Sequence, residues 1–422
     1  MCLSGCGDET AQGKELYERF QAAQVAEDAA EKERAGEYLQ QAADAGHALA
    51  MCRLGQRMMA SDKPEDVTAG FGWLKRAAET GEAEGLYLLG LCYDQGRGTE
   101  KDFNRAVECW QGAAAKGNAP ALVTLGMAHA NGYGGLERNM EKAVECYEQA
   151  AALEDARGYY SMAVCCDQGK GTAKDAAKAV AYARRAAELQ HVDACLFMGK
   201  AHLLGYGGAE KDAAKAAPFF LKAAEAGNTE AQLQLGKLAF DGKGVKKDYA
   251  LAARCFQLAA GAGNAEAFCL LGACFDAGLG VQKDAAKAVA CWKRAADAEN
   301  ARAAYFLGRC VALGHGAQQD AALAARLYAM AAQKGDTLGA LAYAGCLMEG
   351  TGTTKNEAEA VKIYERLAKA GVAEAMLQLG KCLNEGRGVQ KDENQARDWW
   401  RKASAAGNEA ASALLNPEGN KK

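Results

Sequence analysis

Proline is almost missing: 4 prolines stand against 49 glycines in 422 residues. A chain dominated by alanine, with evenly scattered glycine and little proline, reads as helices separated by tight turns. No uninterrupted apolar run reaches the ~18 residues that a membrane-spanning helix needs. The net charge is −4 and no concentrated basic patch appears, which argues against a nucleic acid as partner. Five serines and five histidines are too few and too scattered to suggest a catalytic cluster, and the histidines (His47, His129, His191, His202, His315) fall in five different segments. None of SxxK, GxSxG, HExxH, GxGxxG or CxxC occurs. Neither a cofactor nor a metal is expected, and an enzyme is the weaker expectation.

What is present is repetition. A glycine following leucine, or an equivalent small residue, falls at Gly55, Gly90, Gly126, Ala163, Gly199, Gly236, Gly272, Gly308, Gly345 and Gly380, always 35 to 37 residues apart. So regular a period predicts a solenoid, whose units bury their apolar faces only against neighbours. One unit runs from Ala83 to Asn118, "AEGLYLLGLCYDQGRGTEKDFNRAVECWQGAAAKGN". Leu86, Leu89, Gly90 and Tyr93 recur at helical spacing, and Ala106, Trp110 and Ala113 mark one face of a second helix. Asp102 is placed to cap the second helix, Gly117 to end it in a left-handed conformation, and Asn118 to cap the next. The expected fold is all-α, about ten helix-turn-helix repeats of 35–37 residues, with 13–47 as a degenerate capping repeat, 48–407 as the solenoid and 408–422 as a C-terminal cap and tail.

The unit "LGLCYDQGRGTEKDFNRAVECWQGAA" and its copies, such as "LGACFDAGLGVQKDAAKAVACWKRAA" from Leu271, resemble the Sel1-like repeat family, relatives of the tetratricopeptide repeats. The resemblance runs from about Leu49 to Asn408. It implies antiparallel helix pairs stacked in a right-handed superhelix and used as a scaffold for protein partners.

The turn "DQGRGTEKD" (94–102) returns as "DQGKGTAKD" (167–175), "DGKGVKKD" (241–248) and "EGRGVQKD" (385–392). Its glycines persist while the residues between them change. Backbone geometry explains that pattern better than a phosphate or cation site does, and neither a P-loop nor an EF-hand order is present. Two turns, "NGYGGLERN" (131–139) and "LGYGGAEKD" (204–212), carry an extra residue and follow His129 and His202. Those histidines read either as a ligand or switch pair or as rings filling an aromatic slot; single histidines without convergent ligands seldom hold metal.

Of sixteen cysteines, all but Cys2 and Cys6 fall within the repeats, many at recurring positions. Two hairpins hold a cysteine on each helix, which makes Cys92–Cys109 and Cys274–Cys291 candidate disulfides. Elsewhere the partner slot holds Ala128, Leu238 or Trp399, and a slot shared by Cys, Ala and Leu is a packing position, so buried thiols are the main expectation. The family that these units resemble has a cysteine-rich secreted branch. Its disulfide ladder does not carry over, because Ala114, Ala187 and Ala296 occupy one of the two positions. A secreted protein with weak hydrolase or cell-wall-ligand-binding activity stays only as the alternative function. At the N-terminus, Leu3-Ser4-Gly5-Cys6 resembles a lipobox without the apolar segment that should precede it. This makes Cys6 a candidate lipidation site in a lipoprotein of the bacterial envelope or periplasm, whereas the abundance of thiols points to the cytoplasm.

Residues three before, one after and four after each repeat glycine share one helical face, and in the tetratricopeptide relatives that face lines the concave groove. Here it offers Tyr87, Asp94, Tyr160, Asp167, Lys200, Lys237, Phe240, Tyr305, Arg309 and Lys381, with leucines such as Leu233 and Leu377 between them. Aromatic and apolar residues with cationic rungs suit a protein or peptide partner carrying acidic residues.

Overall fold

In the structure, a computed structural model, residues 10–26 and 29–415 are described; Cys6 and the lipobox lie outside them. The chain divides into two compact units, 1–223 and 224–422. Among the described residues both are built from α-helices, with no strand.

Unit 1 begins with a hairpin of α1 (Ala11–Val25) and α2 (Ala29–Asp44). Five more follow: α3 (Ala48–Met59) with α4 (Pro64–Glu79), α5 (Ala83–Gln95) with α6 (Phe103–Ala114), α7 (Ala119–Asn131) with α8 (Met140–Ala152), α9 (Ala156–Gln168) with α10 (Ala176–Glu188), and α11 (Val192–Leu204) with α12 (Ala213–Glu225), in whose last turn the division falls. Unit 2 holds α13 (Thr229–Asp241) with α14 (Tyr249–Gly261), α15 (Ala265–Ala277) with α16 (Ala285–Asp297), α17 (Ala301–Leu313) with α18 (Ala321–Gln333), α19 (Thr337–Glu349) with α20 (Glu357–Lys369), and α21 (Ala373–Glu385) with α22 (Glu393–Ala405); α23 (Glu409–Leu415) closes it. The ten hairpins from α3 to α22 match the expected number and order.

Local chemistry sets these boundaries. Asp102 accepts hydrogen bonds from the Asn104 and Arg105 amides at 3.1 and 3.0 Å, and Asn118 accepts from Ala121 at 2.9 Å. Each cap satisfies donors that the first helical turn leaves free. The turn glycines are structural. Gly98 has φ +74°, and a Cβ there would stand 2.8 Å from the Val67 carbonyl and 2.7 Å from Phe71 Cβ, so this turn seats on the second helix of the preceding repeat. Only glycine combines that φ with that approach.

Most hairpins pack alanine closely around one large ring; α3–α4 has Leu74 in its place and α9–α10 has Ala183. Trp110, Phe220, Phe256 and Trp292 are at most 2 % exposed, ringed by alanines such as Ala106, Ala113 and Ala295 at 0 %. The repeat glycine makes room for the ring: a Cβ on Gly90 would lie 2.5 Å from Trp110 Nε1. Truncating such a ring to alanine costs roughly 3–5 kcal/mol.

At one point the sequence register needs correcting. A Cβ on Gly345 would meet nothing within 4 Å, whereas Ala344 is 0 % exposed in the core. Ala344, eighth in α19 as Gly308 is eighth in α17, is therefore the packing equivalent, and Gly345 holds the following, outward slot. The smaller Tyr364 is the ring of this hairpin and is 5 % exposed.

Candidate functional site

The face carried by the first helices is less open than its sequence pattern implies. Leu233 and Leu377, in the slot three before the glycine, are 2 % and 3 % exposed. That slot is wedged between repeats, so the leucines expected there on a free surface are core residues instead.

In unit 1 the named polar groups are already engaged. Tyr133 and Tyr206, one in each widened turn, donate their hydroxyls to Asp94 and Asp167 of the preceding repeats. Tyr87 is half-buried, packed against two hydrophobic core clusters, and Tyr160 stacks on His191 with ring centroids 4.6 Å apart. Lys200 is exposed. His202 is buried, with Nδ1 3.0 Å from the Glu210 carbonyl and its ring stacked on Phe219. Burial holds the His129 imidazole below its ordinary pKa, helped by Lys142. Both rings fill the space beside a widened turn, and among the described residues no three His, Cys, Asp or Glu side chains group as metal ligands.

In unit 2, Lys237 pairs with Glu266 at 2.7 Å and Arg309 with Asp276 at 3.6 Å, while His315 Nε2 is 2.9 Å from the same Asp276. The expected cationic stripe is thus partly neutralised by acids of neighbouring first helices. Phe240 packs edge-on against Tyr249 and beside Phe256.

Tyr305 and Lys381 are brought together. They line a recess of about 630 Å³ whose walls are the first helices α17, α19 and α21. Gly345 and Ala342 open it: where α17 extends Arg309 and α21 extends Lys381, α19 has no side chain. Leu338, Leu341 and Met348 give it an apolar wall, and Tyr364, whose hydroxyl burial pushes up to about 12, lies at its base. Glu349, Glu374 and Glu385 stand on its rim. Arg387 reaches in from the turn after α21 and binds Glu349 at 3.0 Å and Glu357 at 3.2 Å. Carboxylates outnumber free cations here, on a face where apolar patches with cationic rungs were expected. Sequence reading missed Leu341 because the one-residue slip at Gly345 hid the slots that α19 contributes, and missed Glu374 and Gln378 of α21 because they stand six and two residues before Gly380, outside the slots read as one face.

The fourteen described cysteines are free thiols, eleven of them buried. Burial pushes Cys52 and Cys269 up to about 12 and Cys92, Cys109, Cys255, Cys274 and Cys382 up to about 11. Cys92 and Cys109 are close enough to interact electrostatically, as are Cys274 and Cys291.

The Sel1 repeat model matches eleven segments, 29–47, 48–81, 83–118, 119–155, 156–191, 192–228, 229–264, 265–300, 301–336, 338–372 and 373–408. The chain belongs to the Sel1 repeat family. It is similar to the crystal structure of a protective antigen of uropathogenic Escherichia coli strains with an SLR fold, at a TM-score of 0.80 and 30% identity, over 90% of this chain and 81% of that one. It is 39% identical over 92 residues to the mouse (Mus musculus) DAP3-binding cell death enhancer 1, covering 22% of this chain and 18% of that protein. It is also 39% identical over 84 residues to HRD3A of Arabidopsis thaliana, an ERAD-associated E3 ubiquitin-protein ligase component, covering 20% and 12%. The chain thus spans less than a fifth of the length of either curated relative. It is a Sel1 repeat scaffold, and among the described residues no helix is long and apolar enough to cross a membrane.

Proposed function

We propose that this scaffold is non-catalytic and docks a protein partner on the first-helix face of unit 2, with the recess around Gly345 receiving one apolar side chain of the partner. The recess carries this reading. It is the place where two of the expected contact residues, Tyr305 and Lys381, converge on unoccupied volume beside apolar walls. A rigid tyrosine loses little entropy on contact, which suits it to anchor a partner. Lys381 offers a cation for a carboxylate or backbone carbonyl of that segment, and the rim glutamates favour a segment of mixed charge over a purely acidic one. The two curated relatives support an interaction role, since one is named for binding another protein and the other as a ligase component.

The test is to capture partners with the tagged chain and its Gly345→Trp variant, and to locate contacts by cross-linking. An indole at position 345 has open space to fill, so the melting temperature should hold while captured partners cross-linked to α17, α19 or α21 are lost. Equal capture by wild type and variant, with cross-links elsewhere, would place the site on another face.

A further inference from the structure

The second helices carry a separate feature. Their third, seventh and tenth residues form one stripe, spaced to share a helical face. In α16 the stripe is Lys287, Cys291, Arg294, and α6, α8, α10 and α12 likewise place arginine or lysine first. In α18 it is Leu323, Leu327, Met330, aliphatic at every position and partly exposed. Of the other second helices α14 comes nearest, with Leu251 and Leu258, but its middle residue, Cys255, is buried. The two outer positions of this stripe, each cationic in about half of the second helices, are thus aliphatic in α18, on either side of a middle position that is never charged from α6 to α22. Such a change is unfavourable in water unless something covers it.

The stripe forms one wall of a groove of about 770 Å³ between α16 and α18, floored by Leu307 and Val311 of α17. This groove is lined by second helices, apart from the recess at Gly345. Its rim carries Asp297, Glu299 and Asp320 against a single lysine, Lys293. Lys334 neutralises Glu299 at 2.8 Å, and Asp320 caps α18 through the Leu323 amide at 2.8 Å. Asp297 and Asp320 together still leave the rim acidic.

We infer that this groove is a second docking site, for an amphipathic helix of a partner protein whose aliphatic stripe is flanked by lysine or arginine. The aliphatic wall fits residues three and four apart on such a helix, and the acidic rim selects its flanking charge.

The probe is a fluorescently labelled amphipathic helical peptide of leucine and lysine, with a leucine–glutamate peptide of the same pattern as its twin, measured by anisotropy. The lysine peptide should bind the full chain and the glutamate peptide at least about tenfold more weakly. Leu323→Lys with Met330→Arg restores the residue types found in α16 at these positions, and should weaken the lysine peptide by about tenfold or more. Asp297→Lys, on the exposed rim, should weaken it severalfold even if the double variant folds poorly. Gly345→Trp should leave this binding unchanged, which separates it from the first-helix site. Equal affinity for both peptides, or affinity indifferent to Asp297→Lys, would overturn the assignment. So would a wild-type dimer that the double variant converts to monomer, because the occupant would then be a second copy of the chain.

Discussion

The first helices of unit 1 and unit 2 use the same slots for different ends. In unit 1, Asp94 and Asp167 are held by the tyrosines of the next repeat, Tyr87 by packing against two hydrophobic core clusters, and Tyr160 by its stack on His191. Every one of those groups serves repeat-to-repeat packing. In unit 2 a single hairpin departs from the pattern. Its repeat glycine is replaced by Ala344, the next slot is empty at Gly345, and Tyr305 and Lys381 face the space so created. Repetition builds the scaffold, and the recess proposed as a docking site arises where one repeat breaks it.

What the units share should give the largest effect. Thiols in both are pushed up to about 11 or 12 from an ordinary value of 9.0, Cys52 and Cys92 in unit 1 and Cys269 and Cys382 in unit 2 among them. Unfolded thiols ionise near the ordinary value while folded ones stay protonated, so above about pH 9 unfolding releases protons. The stabilisation is therefore full below about pH 9 and is lost as pH rises through about 11 to 12. Thermal melts should be level from neutral pH to about 8.5 and then fall steeply, both units together. A melt unchanged at pH 10.5 would mean that the thiols are not buried as described.

Next in size is the contrast between two glycines that sequence treats as equivalent. An added methyl at Gly380 would meet Trp400 Cδ1 at 2.5 Å, in a ring that is 8 % exposed, so Gly380→Ala should cost about 1–3 kcal/mol. Gly345→Ala should instead stabilise by about 0.5–1 kcal/mol, since helical glycine carries an entropic penalty and nothing obstructs the methyl. Urea melts of both variants decide the matter, and the same sign for both would remove the structural basis of the recess.

The contrast also shows what could be read without coordinates. Caps such as Asp102 and Asn118 were legible because a cap and the amides it satisfies lie within three residues. The ring beneath most repeat glycines was legible because it recurs at a nearly fixed distance along the chain, as Trp110 does after Gly90. The engagement of Asp94 was not, because its donor, Tyr133, stands 39 residues away in the next repeat and reaches back through a turn whose extra residue gave no hint of direction. The recess was hidden for a subtler reason. Ala344 and Gly345 are adjacent small residues, either of which satisfies the spacing, and only the position of the Tyr364 hairpin decides between them. Local chemistry survives in a single sequence; contacts between repeats need the register of both.

The smallest effects should divide the slots of the two units most sharply. Tyr133→Phe and Tyr206→Phe each remove the hydroxyl that Asp94 or Asp167 accepts and keep the ring. Hydrogen bonds to charged groups contribute up to about 3 kcal/mol, but these sites are only partly buried and water can replace the donor, so about 1 kcal/mol each is expected. Lys381 lies on the recess and forms no ion pair among the described residues. Lys381→Ala should therefore change stability by less than about 0.5 kcal/mol, as surface substitutions without structural partners do. Partner capture should show the opposite order, lost with Lys381→Ala and kept with Tyr133→Phe. If Lys381→Ala were the more destabilising, the lysine would be a structural strut like Asp94, and unit 2 would have no slot left over for recognition.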